Sequence, residues 1–221
     1  MKNIVIFGSG DHAKVIFYEI IKIKKYNIIG FIDNKNVNAV ITLYKKKKYK
    51  ILGKISEFKD KKINFCGIIG VGSNFIREKI LIEVEKNIKD FSWEKIVSKN
   101  SLVSKNTIIG DGSFVASGSI INNGTIIGNH CIINTGTFID HDNIFENFSS
   151  TGPRVTCGGN VSVGKYSHLG IASTINHNIK IGYNTVIGGA SFVNKICKNN
   201  STYVGVPSKK INSRKINKKY L

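Results

Sequence analysis

Apolar and polar positions follow two different rules along this chain, and the change falls near residue 95. From Val97 an interior-type residue recurs every sixth position, through Val103, Ile109, Val115, Ile121, Ile127, Ile133, Ile139 and Phe145. The column continues with Thr151, Cys157, Val163, Leu169, Ile175, Ile181, Ile187 and Val193. That is 17 hexads in one frame, 15 of them filled by a large apolar side chain. The next position is always Gly, Asn, Ser, Ala, Asp or Glu, with Gly eight times. A helical period of 3.6 cannot produce this, and simple alternation would not fix every sixth residue. The repeat predicts a parallel β-helix, each hexad giving one short strand and one corner. The aliphatic side chain points into a narrow prism, and the Gly or Asn after it is expected to take the unusual backbone angles of the corner. Three hexads make one 18-residue coil. Thr151 and Cys157 are small enough to stay inside.

Before residue 95 the pattern is α/β. Asn3–Phe7 reads as a buried strand, Gly8–Ala13 as a turn, and Lys14 to about Lys25 as a helix. Asn27–Ile32 reads as a second strand ending at Asp33, Phe65–Val71 as a third, and Phe75–Asn87 as a second helix. Strand–helix–strand order implies a small parallel α/β domain. Lys45–Lys48 fall in a basic loop or short hairpin. The expected organisation is an α/β domain over 1–95, a β-helix over 96–198 and a polar, basic C-terminal tail over 199–221, whose order the sequence does not decide.

Composition narrows the function classes. With 41% hydrophobic and 21% charged residues, the 221-residue chain is not intrinsically disordered. No run approaches the roughly 20 apolar residues of a membrane span. The N-terminus enters a strand directly, without the pattern of a signal peptide. The four cysteines are isolated, with no zinc-type spacing, and read as reduced packing residues of a cytoplasmic protein. The net charge of +19 suggests anionic partners. Ile, Lys and Asn, however, make up 93 residues and share A/T-rich codons, so codon bias accounts for much of the charge. Only three arginines are present, and neither they nor the aromatics cluster, which argues against nucleic-acid binding.

Two sequence features carry chemistry. Gly8-x-Gly10-x-x-Ala13 follows a strand, and Asp33 comes some 20 residues later, the layout of a nucleotide-phosphate turn. The segment is too short for a full dinucleotide domain, so it reads as a half-size nucleotide site. His12 lies in that turn. Of the other histidines, His130 and His177 read as surface residues and His168 as structural. His141 stands between Asp140 and Asp142. In an extended strand neighbouring side chains diverge, so only a corner lets Asp142 reach the imidazole. A carboxylate at Nδ1 fixes the tautomer, raises basicity and leaves Nε2 able to take a proton.

A small α/β domain followed by hexapeptide repeats resembles the PglD/NeuD-type sugar O/N-acyltransferases, built on a left-handed β-helix. The matching motifs are Gly8–Lys14, Phe31-Ile32-Asp33, Gly72-Ser73-Asn74-x-x-Arg77, Asn134-Thr135 with Asp140-His141-Asp142, Gly158–Val161 and Val204–Pro207. The resemblance implies a homotrimer with active sites between subunits and acetyl-CoA lying along the β-helix. His141 then matches the general base and Asp142 the residue that orients it, with Asn134 and Asp140 lining the acceptor site. Gly159 matches the backbone donor to the thioester oxygen, and Ile171 and Gly189 line the coenzyme path. Gly10, Asp11, His12, Asp33, Asn34 and Gly72 match the nucleotide-sugar site. Many relatives carry a second histidine near the acetyl group where this chain has Ser150. The implied activity is N-acetylation of a nucleotide-linked 4-amino-4,6-dideoxy sugar, by direct attack and without a metal. The main alternative within the family is O-acetylation of sialic acid. Outside the family, an anion- or nucleic-acid-binding protein, an NAD-linked scaffold and a γ-type carbonic anhydrase are weaker readings. The last lacks the necessary histidine spacing.

Overall fold

The computed structural model describes residues 1–220. It divides into two units, Met1–Gly72 with Ile76–Ile96, and Ser73–Phe75 with the chain from Val97 onward.

The first unit contains β1 (Lys2–Phe7), α1 (Asp11–Ile23), β2 (Tyr26–Ile32), β3 (Val40–Tyr44), β4 (Lys47–Gly53), β5 (Cys66–Ile69) and all but the first two residues of α2 (Asn74–Asn87). The sheet order is β3-β4-β2-β1-β5. Strand β1 runs parallel to β2 and β5, β2 parallel to β4, and β3 antiparallel to β4. Ile4–Phe7 in β1 and all of β5 are buried, so these strands read as continuous apolar runs rather than alternations. Helix α1 buries Ala13, Ile16, Phe17 and Ile20, a helical stripe. A β-carbon on Gly70 would lie 2.7 Å from that of Ala13, so the glycine lets the helix settle onto the sheet. The lysine cluster is a two-residue hairpin turn, with Lys45 and Lys46 both at positive φ.

The second unit carries 17 two-residue strands, from Ile96–Val97 to Phe192–Val193. Every sixth-position residue of the repeat is the second residue of its strand. Each strand pairs in parallel with the one 18 residues on, as Phe138↔Thr156 and Ile139↔Cys157 show. The strands stack into three sheets, and the column from Val115 to Val193 forms one buried core. Thr151 and Cys157 are inside it at 1% and 2% exposure. Each inner aliphatic that loses its solvent-exposed area contributes about 1.5–3 kcal/mol, which is how such short strands hold together.

The glycines following the aliphatics correct one expectation. They do not take positive φ; that conformation comes two positions later, at Gly112, Gly118, Gly124, His130, Gly136, Asp142 and onward. Close approach is what requires them. A β-carbon on Gly164 would lie 2.7 Å from backbone atoms of Gly182 and Tyr183, and Gly152 meets Ile171 in the same way. The repeat places small residues where one coil's backbone lies against the next.

The segment after residue 198 is ordered. Ser201–Val204 and Lys209–Ser213 pair as an antiparallel hairpin that extends one sheet of the β-helix. Arg214, nearly buried, donates to Asn184 Oδ1 and to the Lys218 carbonyl. Leu221, the end of the expected tail, lies outside the described residues. All four cysteines are buried, and none is in a disulfide.

Candidate active site

His141 occupies a corner after the strand Phe138–Ile139, and Asp142 holds the positive-φ position of that corner. Asp tolerates this conformation better than most residues. The turn folds Asp142 back on its neighbour, so its Oδ2 lies 2.8 Å from His141 Nδ1. Gly124, one coil below, has no β-carbon to collide with that carboxylate. The hydrogen bond to the Asp142 carboxylate raises the His141 pKa above its ordinary value. Asp140 is held below the usual carboxylate range, chiefly by the Asn122 amide at 3.0 Å. Asn143 fixes the backbone of the corner. It is fully buried, donates to the carbonyls of Asp140, His141 and Gly158, and accepts from the Val161 amide.

His141 Nε2 faces the next coil. A β-carbon on Gly159 would lie 2.5 Å from Nε2 and Cε1, so this glycine leaves the notch into which the ring extends. His177, a further coil on, accepts the Gly159 amide at Nδ1 over 2.9 Å. Positions 141, 159 and 177 are thus one corner column, imidazole–glycine–imidazole. Beside it runs a groove of about 390 Å³ with walls that include Phe138, Thr156, Thr174 and Phe192 and a polar rim of Asn122, Asp140, Asn176 and His177. A half-exposed imidazole one residue from the groove wall at Asp140 can deprotonate a bound nucleophile.

In the first unit, a cavity of about 300 Å³ opens at the carboxyl ends of β1 and β2, the usual ligand edge of a parallel sheet. Gly8, Asp33, Asn34, Ile76, Lys79 and Glu83 are among its walls. Ser9 donates to Asp33 Oδ2 at 2.7 Å and so fixes the carboxylate. Gly8 has φ +96, and a β-carbon there would meet Val71 at 2.7 Å. A β-carbon on Gly10 would meet nothing within 4 Å, which leaves the start of α1 open to close approach. Burial, aided by the Arg77 charge, pushes the His12 pKa down to about 4, so His12 is neutral at pH 7.

Residues 3–84 match the family model described as the PglD N-terminal domain. That match covers most of the first unit. Among solved structures, the whole chain is similar to the acetyltransferase domain of PglB from Neisseria gonorrhoeae FA1090, at 22% identity and TM-score 0.87, covering 96% of this chain and 100% of that one. The same domain is known in complex with acetyl coenzyme A. PerB from Caulobacter crescentus, solved with CoA and GDP-perosamine, matches at 25% identity and TM-score 0.85, covering 96% and 98%. WeeI from Acinetobacter baumannii AYE matches at 18% identity and TM-score 0.73, covering 96% and 100%. The chain has the architecture of a PglD-type sugar acetyltransferase, an α/β unit followed by a left-handed parallel β-helix.

On this PglD-type fold the expected site residues separate into groups. His141, Asp142, Asp140 and Gly159 come together at one corner. Asn134, Ile171 and Gly189 stand at the corner on the other side of the same sheet, where a β-carbon on Gly189 would lie 3.3 Å from the Ile171 carbonyl. Asp33 and Asn34 line the front cavity; Gly10, Asp11, His12 and Gly72 are not among its walls. The Gly72 carbonyl accepts from Arg77 at 2.8 Å.

Three placements differ from expectation. The Gly159 amide, expected to bind an oxyanion, is already given to His177. Ser150, expected at the coenzyme, is buried and its hydroxyl lies 2.8 Å from His168 Nδ1, one coil on. His168 is covered in turn by the Tyr220 ring, stacked at 4.5 Å. His130 is 4% exposed and stacks on Phe148, so it is not a surface residue. His177 is exposed as expected, but it is held in the corner column by the Gly159 amide. Sequence reasoning missed Asn143, whose one signal was a large amide at an inner hexad position held by Thr125 one coil earlier and Val161 one coil later. It also missed Lys79 and Glu83, which sit on a helix with no motif around them. Among the described residues no cluster suited to a metal occurs, and no helix is long and apolar enough to cross a membrane.

Proposed function

We propose that this protein is an acetyl-CoA-dependent N-acetyltransferase acting on the amino group of a nucleotide-linked 4-amino-4,6-dideoxy sugar. The observation that carries the reading is the His141–Asp142 pair, with Nδ1 tied to a carboxylate and Nε2 turned towards Gly159. The sugar amine attacks the thioester carbonyl, His141 Nε2 takes the amine proton, and coenzyme A leaves. Asp142 holds the tautomer and stabilises the imidazolium. Residues 3–84, which match the PglD N-terminal domain, also hold a fixed carboxylate, Asp33, at the sheet edge, suited to a nucleotide. The +19 charge favours two anionic ligands.

Completion of the site by a neighbouring subunit is part of the proposal. Asn134, Ile171 and Gly189 stand on one corner and His141 on another, which suits three β-helices side by side, each pairing one corner with its neighbour's other corner. Apolar side chains such as Leu102, Ile108, Phe138 and Ile144 point outward from two sheets and are 45–68% exposed, the surface such a trimer covers. The proposed setting is the cytoplasm, where acetyl-CoA and nucleotide sugars are available, and a glycan or polysaccharide pathway.

The test follows coenzyme A release with a thiol reagent across UDP-, dTDP- and GDP-linked 4-amino-4,6-dideoxy sugars and free sialic acid, for wild type and His141→Ala. Turnover of one amino sugar that the variant loses supports the proposal. Turnover of sialic acid alone moves the activity to O-acetylation. Turnover that survives His141→Ala removes the base assignment. No turnover with any acceptor, with salt-sensitive anion binding instead, favours a binding protein.

A further inference from the structure

Ser150 is buried and its hydroxyl is bonded to His168, so it offers the groove no donor. The corner column supplies another candidate. His141 and His177 lie one coil to either side of Gly159, the first ring extending into the notch left by its missing side chain and the second accepting its amide. A β-carbon on Gly158 would also lie 2.9 Å from His177 Cγ and Nδ1, so the ring is packed against that backbone on one side. On its other side His177 lines the groove that also borders Asp140.

The Gly159–His177 hydrogen bond has a chemical consequence. A backbone N–H can only donate, so the Nδ1 that accepts it carries no proton. The neutral imidazole then carries its proton on Nε2. That leaves a donor at the groove, while His141, with Nδ1 occupied by Asp142, has Nε2 unprotonated in its neutral form. One ring of the column takes a proton and the other offers a hydrogen bond.

Resting on the acetyltransferase reading above, we infer that His177 is the oxyanion donor of this site, its Nε2–H hydrogen-bonding the thioester oxygen as negative charge builds there. Gly159 acts one step back, fixing the tautomer of His177 with its amide rather than meeting the oxygen itself. No proton is transferred from His177. The amine proton goes to His141, the carbon–sulfur bond breaks, and coenzyme A departs with the electron pair and is then protonated.

The test compares His177→Ala, His177→Asn and His177→Gln with wild type, using the amino sugar that wild type turns over best. Asn keeps an acceptor near the Nδ1 position but has no donor at Nε2, whereas Gln can place an amide N–H there. Loss of one oxyanion donor costs about 10²–10³-fold in kcat, so the Ala and Asn variants are expected to fall by that amount, with KM for acetyl-CoA little changed. His177→Gln is expected to recover at least about tenfold of the loss. Because the side chain is exposed, all three variants are expected to melt near the wild-type temperature, and nitrogen-15 imidazole shifts of the wild-type protein are expected to report the Nε2–H tautomer. Ala or Asn variants with kcat near wild type, or faster, overturn the inference and return the oxyanion role to the Gly159 amide. An Nδ1-protonated His177 also overturns it. Wild-type protein that acetylates no amino sugar refutes the parent reading, and this inference with it.

Discussion

Gly159→Ala separates geometry from stability at the proposed base. A β-carbon there would lie 2.5 Å from His141 Nε2 and Cε1, whereas ordinary contact begins at 3.4 Å. The imidazole must therefore move by about 1 Å, and a displacement of that size at a reacting group costs on the order of 10²-fold in rate. At 1.36 kcal/mol per decade this is about 2.7 kcal/mol of transition-state stabilisation. The fold pays little, because His141 is half exposed and can swing into solvent. Gly159 also lacks the positive φ that would strain an alanine, and at such positions Gly→Ala stabilises by about 0.4–1 kcal/mol through the unfolded chain. The expected result is kcat reduced about 100-fold with the melting temperature unchanged or slightly raised. Coenzyme A release and thermal denaturation on the same preparations decide the matter. Retained turnover in Gly159→Ala refutes the placement of the base, and a large drop in melting temperature refutes the claim that the ring can yield.

Three further outcomes follow from the same contacts. The Asp142 hydrogen bond raises the His141 pKa, and the base works only when deprotonated, so Asp142→Asn should move the acid limb of the pH–rate profile to lower pH while lowering the maximal rate; an unmoved limb rules out His141 as the titrating group. Gly164→Ala places a β-carbon 2.7 Å from backbone atoms that cannot rotate away, so it should destabilise by about 1–3 kcal/mol, read in denaturant melts; no loss would mean that the coils can part. Burial alone would raise the Glu94 pKa, but hydrogen bonds from Lys2 and Tyr26 outweigh it and hold the carboxyl below its ordinary value, so its stabilisation is present above the unfolded pKa and fades as pH falls through the folded one. Glu94→Gln should remove about 1–2 kcal/mol at neutral pH and much less in acid, and an equal loss at both pH values would contradict this.

The β-helix was legible because one spatial fact repeats. Each coil returns every 18 residues, so a single inner column writes itself into the sequence at every sixth position, and Thr151 and Cys157 could be placed inside from size alone. The reason for the glycines was not legible, because close approach and positive φ both select glycine and the sequence does not say which. Only the structure separates Gly164, needed for space, from Gly124, which also has φ +73. At Lys45–Lys48 the choice between a basic loop and a short hairpin stayed open, because the β3–β4 turn uses Lys45-Lys46 instead of Asn-Gly. The order after residue 198 escaped because a strand added to an existing sheet edge needs little apolar patterning of its own.

The same coil spacing explains why the chemistry was only half visible. His141 and Asp142 are adjacent in the chain, so their pairing could be argued from a corner. His141 and His177 are 36 residues apart and become neighbours only because two coils intervene, with Gly159 between them. In a β-helix, functional groups assemble at multiples of 18 along one corner, so a lone histidine has to be read together with the residues one and two coils away. By that rule Ser150 and His168 form a second column, sealed by Tyr220, and their hydroxyl–imidazole contact is a packing feature with no access to the groove beside His177. Two histidine contacts in one fold thus part company on exposure: the open column is where a substrate can reach both rings.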